Sequence, residues 1–383
     1  MRSAKVVVLA DDLTSAAECA GQLAATGYRP VVRFDVTAAD TGSADCVDLD
    51  SRALPEAEAV ARTVQAHRAW VGSAEAVLYK TMDSSLRGNW AAELAAVLRE
   101  RGGTTAVVAP AFPAYDRLTR DGVQFCEGVP AHLGPAGTDP RTPITQSSVV
   151  TALRATGLPT HHLRPDDDLP ARLREIAAGG IGAVVVDAET DADLDRIAAA
   201  VPNPADVVWC GSPGLSGALF ARHTGEHAPS EVPDAVRPVL IAVGSLHPVT
   251  RRQLERLDGD TVWADSGSPD RLLGLLATRP YAAVATPSQA DDAQLSHLTR
   301  LVVAASKVQP RLGLVLTGGD TARSVSEALG ATGIEVTGTV APGVPQGVLV
   351  GPHPHPVISK AGGFGDPDML VHAAQALARR NQL

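Results

Sequence analysis

Ala76-Val77-Leu78-Tyr79-Lys80-Thr81-Met82-Asp83-Ser84-Ser85-Leu86-Arg87-Gly88-Asn89 runs from an apolar stretch into a cluster of charged and hydroxyl side chains. The first four residues have the makings of a buried strand, and Leu86, Trp90, Leu94, Val97 and Leu98 then recur at helical spacing. The polar residues therefore stand at the C-terminal end of a strand, where open α/β sheets bind ligands. Free N–H groups at the start of the following helix attract anions there. Lys80 and Arg87 suit an anionic group, and Asp83 suits a proton or a cation. The plainer account is a capped helix, with Ser84 or Ser85 as N-cap and Arg87 solvated. Lysine usage weighs against it: Lys5, Lys80, Lys307 and Lys360 are the only lysines, against 29 arginines, so a simple surface cation would more readily have been arginine.

The same arrangement recurs on either side. Lys5 to Leu9 is a continuous apolar run ending in Ala10-Asp11-Asp12-Leu13-Thr14-Ser15, followed by an amphipathic helix over Ala16 to Ala25 that Gly27 closes. Two adjacent carboxylates there suit Mg²⁺ or a substrate hydroxyl. A strand over Thr105 to Val108 enters a proline-rigid loop, Pro110 to Arg117, and Asp139-Pro140-Arg141-Thr142-Pro143 forms a second one. Further strand and helix units follow up to Arg222, and apolar periodicity then lapses. At 383 residues the chain exceeds what one core usually supports. Two domains are expected, residues 1–225 and 238–383, with a linker at 226–237.

The second half restarts with Val239 to Val243 before Gly244-Ser245-Leu246-His247-Pro248, and Leu314 to Leu316 leads into Thr317-Gly318-Gly319-Asp320-Thr321-Ala322. A strand near Val357 to Ser359 precedes Lys360-Ala361-Gly362-Gly363-Phe364-Gly365, and Ala341-Pro342-Gly343-Val344-Pro345 marks another turn. Glycines at such junctions let backbone approach phosphate closely. The fold class expected is α/β with two domains, each a mainly parallel sheet flanked by helices, and an active site in the cleft between them.

A net charge of -10 argues against a nucleic-acid or anionic-membrane surface. The cysteines, Cys19, Cys46, Cys126 and Cys210, are scattered without a C-x-x-C pair, as suits reduced thiols in a cytoplasmic protein. No apolar run approaches a membrane span or a signal peptide. No lysine follows a glycine, which excludes a Walker A loop. Gly211-Ser212-Pro213-Gly214-Leu215-Ser216-Gly217 has the wrong spacing for a dinucleotide turn and lacks a second strand ending in an acidic residue. There is no G-x-S-x-G elbow. His353, His355 and the pair His161-His162 lack metal-ligand spacing. Phosphoryl transfer between Asp-Asp, Lys-x-x-Asp and Arg in one half and glycine turns in the other fits what is left. A sugar-acid and nucleotide binding protein without catalysis is the alternative, and a nicotinamide-dependent oxidoreductase is a more distant one.

Taken in order, Ala-Asp-Asp-Leu-Thr (10–14), Lys-x-x-Asp-Ser-x-Leu-Arg-Gly-Asn (80–89), Pro-Ala-Phe-Pro (110–113), Gly-Val-Pro (128–130) and Asp-Pro-x-Thr-Pro (139–143) resemble the four-carbon acid sugar kinase family. Gly-Ser-x-Gly-Leu (211–215), Gly-Ser-Leu-x-Pro-Val-Thr (244–250), Thr-Gly-Gly-Asp-Thr-Ala (317–322), Pro-Gly-Val-Pro (342–345) and Lys-x-Gly-Gly-Phe-Gly (360–365) extend the resemblance over nearly the whole chain. The resemblance implies an N-terminal sugar-acid domain, a C-terminal ATP domain, and phosphorylation of the terminal hydroxyl of a tetronate such as D-threonate, D-erythronate or 3-oxo-tetronate. The chain departs from it at Ser15 and Asp116, where Gly is usual, at Glu18, where Asp or Asn is common, and at His247, where a small hydroxyl residue is common.

The expected acceptor residues are Asp11, Asp12, Lys80, Asp83, Ser84 and Arg87. Arg87 would bind the carboxylate, and Asp12 or Asp83 would orient and deprotonate the hydroxyl. Asp12 is favoured as base, because Asp83 has Lys80 and Arg87 as close neighbours. The expected ATP residues are Gly244, Ser245, Gly318, Gly319, Asp320, Thr321, Gly343, Lys360, Gly362 and Gly363, with Asp320 near Mg²⁺ and Lys360 near phosphate. The expected partners are a small-molecule sugar acid and a second copy of the chain, with no nucleic acid and no membrane.

Overall fold

The computed structural model describes residues 5–37, 42–71, 76–166, 168–223, 225, 237–257, 261–287 and 292–378. They fall into two compact units, one drawn from Met1–Tyr28 and Phe34–Glu226, the other from Arg29–Arg33 and His227–Leu383. The linker expected at 226–237 lies, apart from Arg237, outside the described residues.

The first unit opens with β1 (Val6–Ala10) and α1 (Leu13–Ala25); β2 (Pro30–Arg33) then leaves for the second unit. The chain returns through β3 (Ala44–Asp48), α2 (Glu56–Trp70), β4 (Val77–Thr81), α3 (Trp90–Arg101) and β5 (Thr105–Ala109). After a small antiparallel sheet of β6 (Arg117–Arg120), β7 (Val123–Cys126) and β8 (Val129–Pro130) come α4 (Val149–Ala155), β9 (Thr160–Leu163) and α5 (Leu169–Ala178). The unit closes with β10 (Gly182–Val186), α6 (Asp191–Ala199), β11 (Val208–Gly211) and α7 (Pro213–Phe220). Its main sheet is parallel throughout, in the order β3-β1-β4-β11-β5-β10-β9. Strands β1, β3, β4, β5 and β10 are buried at every residue, as expected of strands covered on both faces. On one face Leu9, Leu78, Val108 and Val185 pack with Trp70, Trp90 and Leu94. Because the strands run one way, the residues after β1, β3, β4, β5 and β11 collect at one edge.

Two details differ from the periodicity. The helix after β4 begins at Trp90, and Leu86 is held in the left-handed region at φ 66°, so Met82 to Asn89 is an irregular loop. Leu86 recurs at helical spacing because it is buried, at 5% exposure, and not because it is helical. The strands β6 to β8 hold four, four and two residues, too few for alternation to stand out.

The second unit contains β12 (Val239–Val243), α8 (Pro248–Glu255), β13 (Thr261–Trp263), α9 (Pro269–Thr278), β14 (Tyr281–Ala285) and α10 (Asp292–Val308). Then follow β15 (Gly313–Thr317), α11 (Gly319–Ala328), β16 (Gly333–Ala341), β17 (Val344–Val350), β18 (Pro356–Lys360) and α12 (Met369–Ala378). Strands β13-β14-β12-β15-β18 are parallel, and β17, β16 and β2 continue the sheet antiparallel. The β16–β17 hairpin escaped the strand pattern because irregularities at Val336/Gly338 and Thr339/Ala341 interrupt its alternation. Gly347 is also required there: a Cβ would stand 2.1 Å from the Glu335 carbonyl. Ile241, Val315 and Ile358 pack against Leu370 and Ala374 of α12. Among the described residues no helix is long and apolar enough to cross a membrane.

Candidate functional site

In the first unit the carboxylates after β1 meet a guanidinium that motif reading missed. Arg52, in the loop after β3, donates from Nε and Nη2 to Asp11 at 2.7 and 3.0 Å, and from Nη1 to Asp12 at 2.6 Å. Its Nη2 also reaches Ser15 Oγ at 3.2 Å. Asp12 is the N-cap of α1, accepting from Ser15 N at 2.8 Å, while Thr14 Oγ1 donates to its Oδ2 at 2.8 Å. Asp11 also accepts from Thr81 Oγ1 at 3.0 Å, which ties the ends of β1 and β4 together. Burial works to raise the Asp11 carboxyl, but Arg52 outweighs it and the group stays below its ordinary value. The usable signal for Arg52 was its place, since Asp50-Ser51-Arg52 follows a strand just as Asp11-Asp12 does.

The loop after β4 builds a second cluster. Asp83 accepts from Arg87 Nε and Nη2, both at 2.9 Å, and Arg87 Nη1 donates to Asp139 at 3.1 Å. Burial would raise the Asp83 carboxyl; the Arg87 fork overrides it and holds Asp83 far below the usual carboxylate range. Asp139 in turn accepts from Thr142 N at 2.8 Å and Arg141 N at 3.0 Å, so the second rigid loop exists to present it. Arg87 uses three of its five donors in these bonds. Ser84, half-buried, offers its carbonyl to Gln124 Nε2 at 2.7 Å. Arg52 and Arg87 also lie close: Asp83 feels both charges, and a Cβ on Gly88 would stand 3.1 Å from Arg52 Cγ.

Lys80 corrects the expectation made for it. Its side chain is fully buried and its Nζ stands 2.8 Å from Glu93 Oε2, itself fully buried on α3. The other Glu93 oxygen accepts from Ser51 Oγ at 2.5 Å. Burial pulls the ammonium down, but Glu93, helped by Asp11, more than restores it. Lys80 therefore braces the loops after β3 and β4 from beneath, its side chain closed off from solvent.

In the second unit the expected nucleotide residues converge. A Cβ on Gly244 would stand 2.0 Å from Thr321 Oγ1, one on Gly362 would stand 2.3 Å from Ser245 Oγ, and one on Gly318 would stand 3.4 Å from Ser245 Cβ. Gly318 has φ 92° and precedes α11, whose first turn carries Gly319, Asp320 and Thr321, and the start of a helix attracts anions. Gly343, at φ 71° in the β16–β17 turn, packs so closely that a Cβ would meet the Phe364 ring at 2.1 Å. Gly363 lies against His247, whose Nδ1 accepts from Val249 N at 3.2 Å and caps α8. Thr317 Oγ1, at the end of β15, is buried with no hydrogen-bond partner among the described residues. Such an orphan at a glycine junction fits a ligand that brings its own polar atoms. Lys360 again departs from expectation: it is fully buried and bonded to the carbonyls of its own loop. Gly211 and Gly214 are packing glycines, with would-be Cβ atoms 2.6 and 2.5 Å from the carbonyls of Ala109 and Ala111.

Residues 6–219 match the model of a sugar-binding N-terminal domain, and residues 277–370 that of a nucleotide-binding C-terminal domain. A D-threonate kinase of Cupriavidus necator is 35% identical to this chain, the match covering 97% of each. The chain belongs to the four-carbon acid sugar kinase family. A D-threonate kinase of Salmonella typhimurium is 33% identical over 96% of this chain and 97% of its own. Relatives named D-erythronate kinase and 3-oxo-tetronate kinase are each 28% identical. A Bordetella bronchiseptica structure, described as a domain-swapped dimer with bound citrate, is 30% identical, covers 98% of this chain and 99% of its own, and superposes with a TM-score of 0.50. The chain is thus a kinase acting on four-carbon acid sugars, with a nucleotide-binding C-terminal part.

Proposed function

We propose that the protein transfers the terminal phosphoryl group of ATP to the terminal hydroxyl of a four-carbon sugar acid, with D-threonate as the acceptor best supported by its relatives. The observation that carries this reading is the pair of guanidinium clusters at the strand ends of the first unit, Asp11–Arg52–Asp12 and Asp83–Arg87–Asp139. A four-carbon acid has little apolar surface, so its binding rests on charge-assisted hydrogen bonds, each contributing roughly 1.5–3 kcal/mol. Arg87 has two donors left and is the more exposed guanidinium, at 31% against 16% for Arg52. It is assigned the carboxylate. Asp12 is assigned the hydroxyl proton, because Asp83 is locked in the Arg87 fork and its carboxyl is the less exposed. The oxygen then attacks the γ-phosphorus, the bond to the ADP oxygen breaks, and ADP leaves with the bridging electron pair.

On the nucleotide side, the first turn of α11 and the Gly244–Ser245 and Gly362–Gly363 turns are assigned to the phosphates. Asp320, exposed on that first turn, fits one protein ligand to Mg²⁺, an ion that ordinarily takes one or two carboxylates plus phosphate oxygens. The ion would supply charge neutralisation on the phosphates. The proposed assembly is a homodimer, supported by the description of the Bordetella protein, and the proposed location is the cytoplasm.

ADP release measured over D-threonate, D-erythronate, 3-oxo-tetronate and longer aldonates, with and without Mg²⁺, tests the assignment. Turnover should require Mg²⁺ and one of the four-carbon acids. Binding of acid and ATP without turnover of any of them would reduce the protein to a binding module.

A further inference from the structure

Glu18, on α1, is buried to 6% exposure, yet among the described residues its carboxyl makes no hydrogen bond and no ion pair. The polar side chains around it on the same helix are all engaged. Thr14 Oγ1 donates to Asp12, and Ser15 Oγ accepts from Arg52 Nη2. Cys19 Sγ lies 3.5 Å from Ser216 Oγ, and Gln22 donates from Nε2 to Pro213 O at 2.9 Å and accepts from Ser216 Oγ at 2.5 Å. Neither Glu18 oxygen is wholly enclosed, so the little surface the residue keeps includes its carboxyl head.

The place of that head follows from the elements around it. Helix α1 starts where β1 ends, and a helical side chain leans toward the N-terminus of its helix, here toward the Asp12–Arg52 cluster. Glu18 is close enough to Asp12 to feel its charge, and Tyr115, in the loop after β5, feels that of Glu18 in turn. The Tyr115 ring stands 4.7 Å from that of Phe112, and a Cβ on Gly214, at the start of α7, would stand 3.2 Å from Phe112 Cα. Glu18 thus lies where α1, the start of α7 and the loop after β5 meet, at the edge on which the strand ends collect.

A buried carboxyl without a hydrogen bond is costly in the free protein and is satisfied when a ligand brings its own polar atom. An anionic group does not fit, because the charge that reaches Glu18 is that of Asp12. Nor does a metal ion, since the Asp12 oxygens are already bonded to Ser15 N, Thr14 and Arg52, and among the described residues no three metal-binding side chains gather. A neutral hydroxyl fits, because it both donates and accepts and so serves the carboxyl in either protonation state.

We propose that Glu18 is a specificity-determining residue that hydrogen-bonds the 3-hydroxyl of the acceptor acid, the one on the carbon next to the terminal carbon. This deepens the kinase reading above and rests on it. With the carboxylate at Arg87 and the terminal hydroxyl at Asp12, the neighbouring hydroxyl is the next polar atom along the acid, and Glu18 is the open polar group beside Asp12.

Calorimetric titration of D-threonate and of its 3-deoxy and 2-deoxy counterparts into the unmodified protein, Glu18→Leu and Glu18→Gln tests this without turnover. The unmodified protein should bind the 3-deoxy acid about 10- to 100-fold more weakly than D-threonate, because the carboxyl is again left alone. In Glu18→Leu that gap should shrink to less than about threefold, whereas Glu18→Gln, which keeps a donor and an acceptor, should retain most of it. The gap to the 2-deoxy acid should be the same in each protein. A gap to the 3-deoxy acid below about threefold in the unmodified protein overturns the proposal, even should Glu18→Leu fail to fold. An undiminished gap in the folded Leu variant overturns it, as does equal weakening of every acid there, the mark of a purely structural glutamate. Absence of binding by any four-carbon acid is a separate outcome, and it overturns the kinase reading beneath the proposal.

Discussion

Arg87 sits between two carboxylates, Asp83 and Asp139, and this sharing defines what each can do. A fork-shaped guanidinium can hold Asp83 on one side and still present donors to an acid on the other, whereas an ammonium cannot. Arg87→Lys should therefore raise KM for the acid more than it lowers kcat, which steady-state kinetics at saturating ATP will resolve. Asp12→Asn should show the reverse, a loss of about 10²- to 10⁴-fold in kcat with KM nearly kept. Glu18 makes a different prediction. It is buried on α1 at 6% exposure, and burial together with the Asp12 charge raises its carboxyl from 4.5 to about 8. The folded state thus keeps a proton that the unfolded chain releases above pH 4.5, so this group lowers stability as pH rises from about 4.5 to 8. Glu18→Gln should raise Tm little at pH 5 and progressively more toward pH 8; an increment independent of pH would contradict the assignment. Several departures from the family pattern become physical at this scale. Asp116 occupies a left-handed turn at φ 53°, a conformation aspartate tolerates and glycine favours, and Ser15 gives Arg52 a further acceptor. His247 caps α8 with a ring nitrogen where a hydroxyl is common.

The loop between β4 and α3 is where pattern and structure part most clearly. Its polar residues were legible because they follow a strand, and Asp83 and Arg87 do meet. Lys80 was not legible, because only the fold reveals that Glu93, thirteen positions on by number, turns inward beneath it. Removing one member of such a buried pair leaves an uncompensated charge and costs about 3–5 kcal/mol, while replacing both with apolar residues is far milder. Lys80→Met should therefore lower the urea midpoint sharply, and Lys80→Met combined with Glu93→Leu should recover most of the loss. A double variant no more stable than the single one would contradict a bracing role. Arg52 and Asp139 stayed hidden for the opposite reason: each stands in an irregular loop, and a partner across a loop has no fixed spacing in sequence.

Across the whole molecule, the alternation of apolar runs with helical segments was enough to show parallel α/β sheets, because strands buried on both faces are continuous in hydrophobicity. Interrupted strands were not, as β16 and β17 show. Nor did anything local mark β2 as a strand of the second unit, since its pairing with β16 depends on a partner some 300 residues away. Each unit has its own core. Gly319→Val, at the start of α11, should then abolish ATP binding while acid binding stays measurable by calorimetry; equal loss of both would indicate a general folding defect. The central claim is the transfer itself, and phosphorus-coupled carbon NMR of the product from D-threonate, ATP and Mg²⁺ tests it most directly. The account predicts one new phosphomonoester, coupled to the terminal carbon, in equal amount to the ADP formed; phosphorus on any other atom, or unchanged acid from protein that binds both ligands, would contradict it.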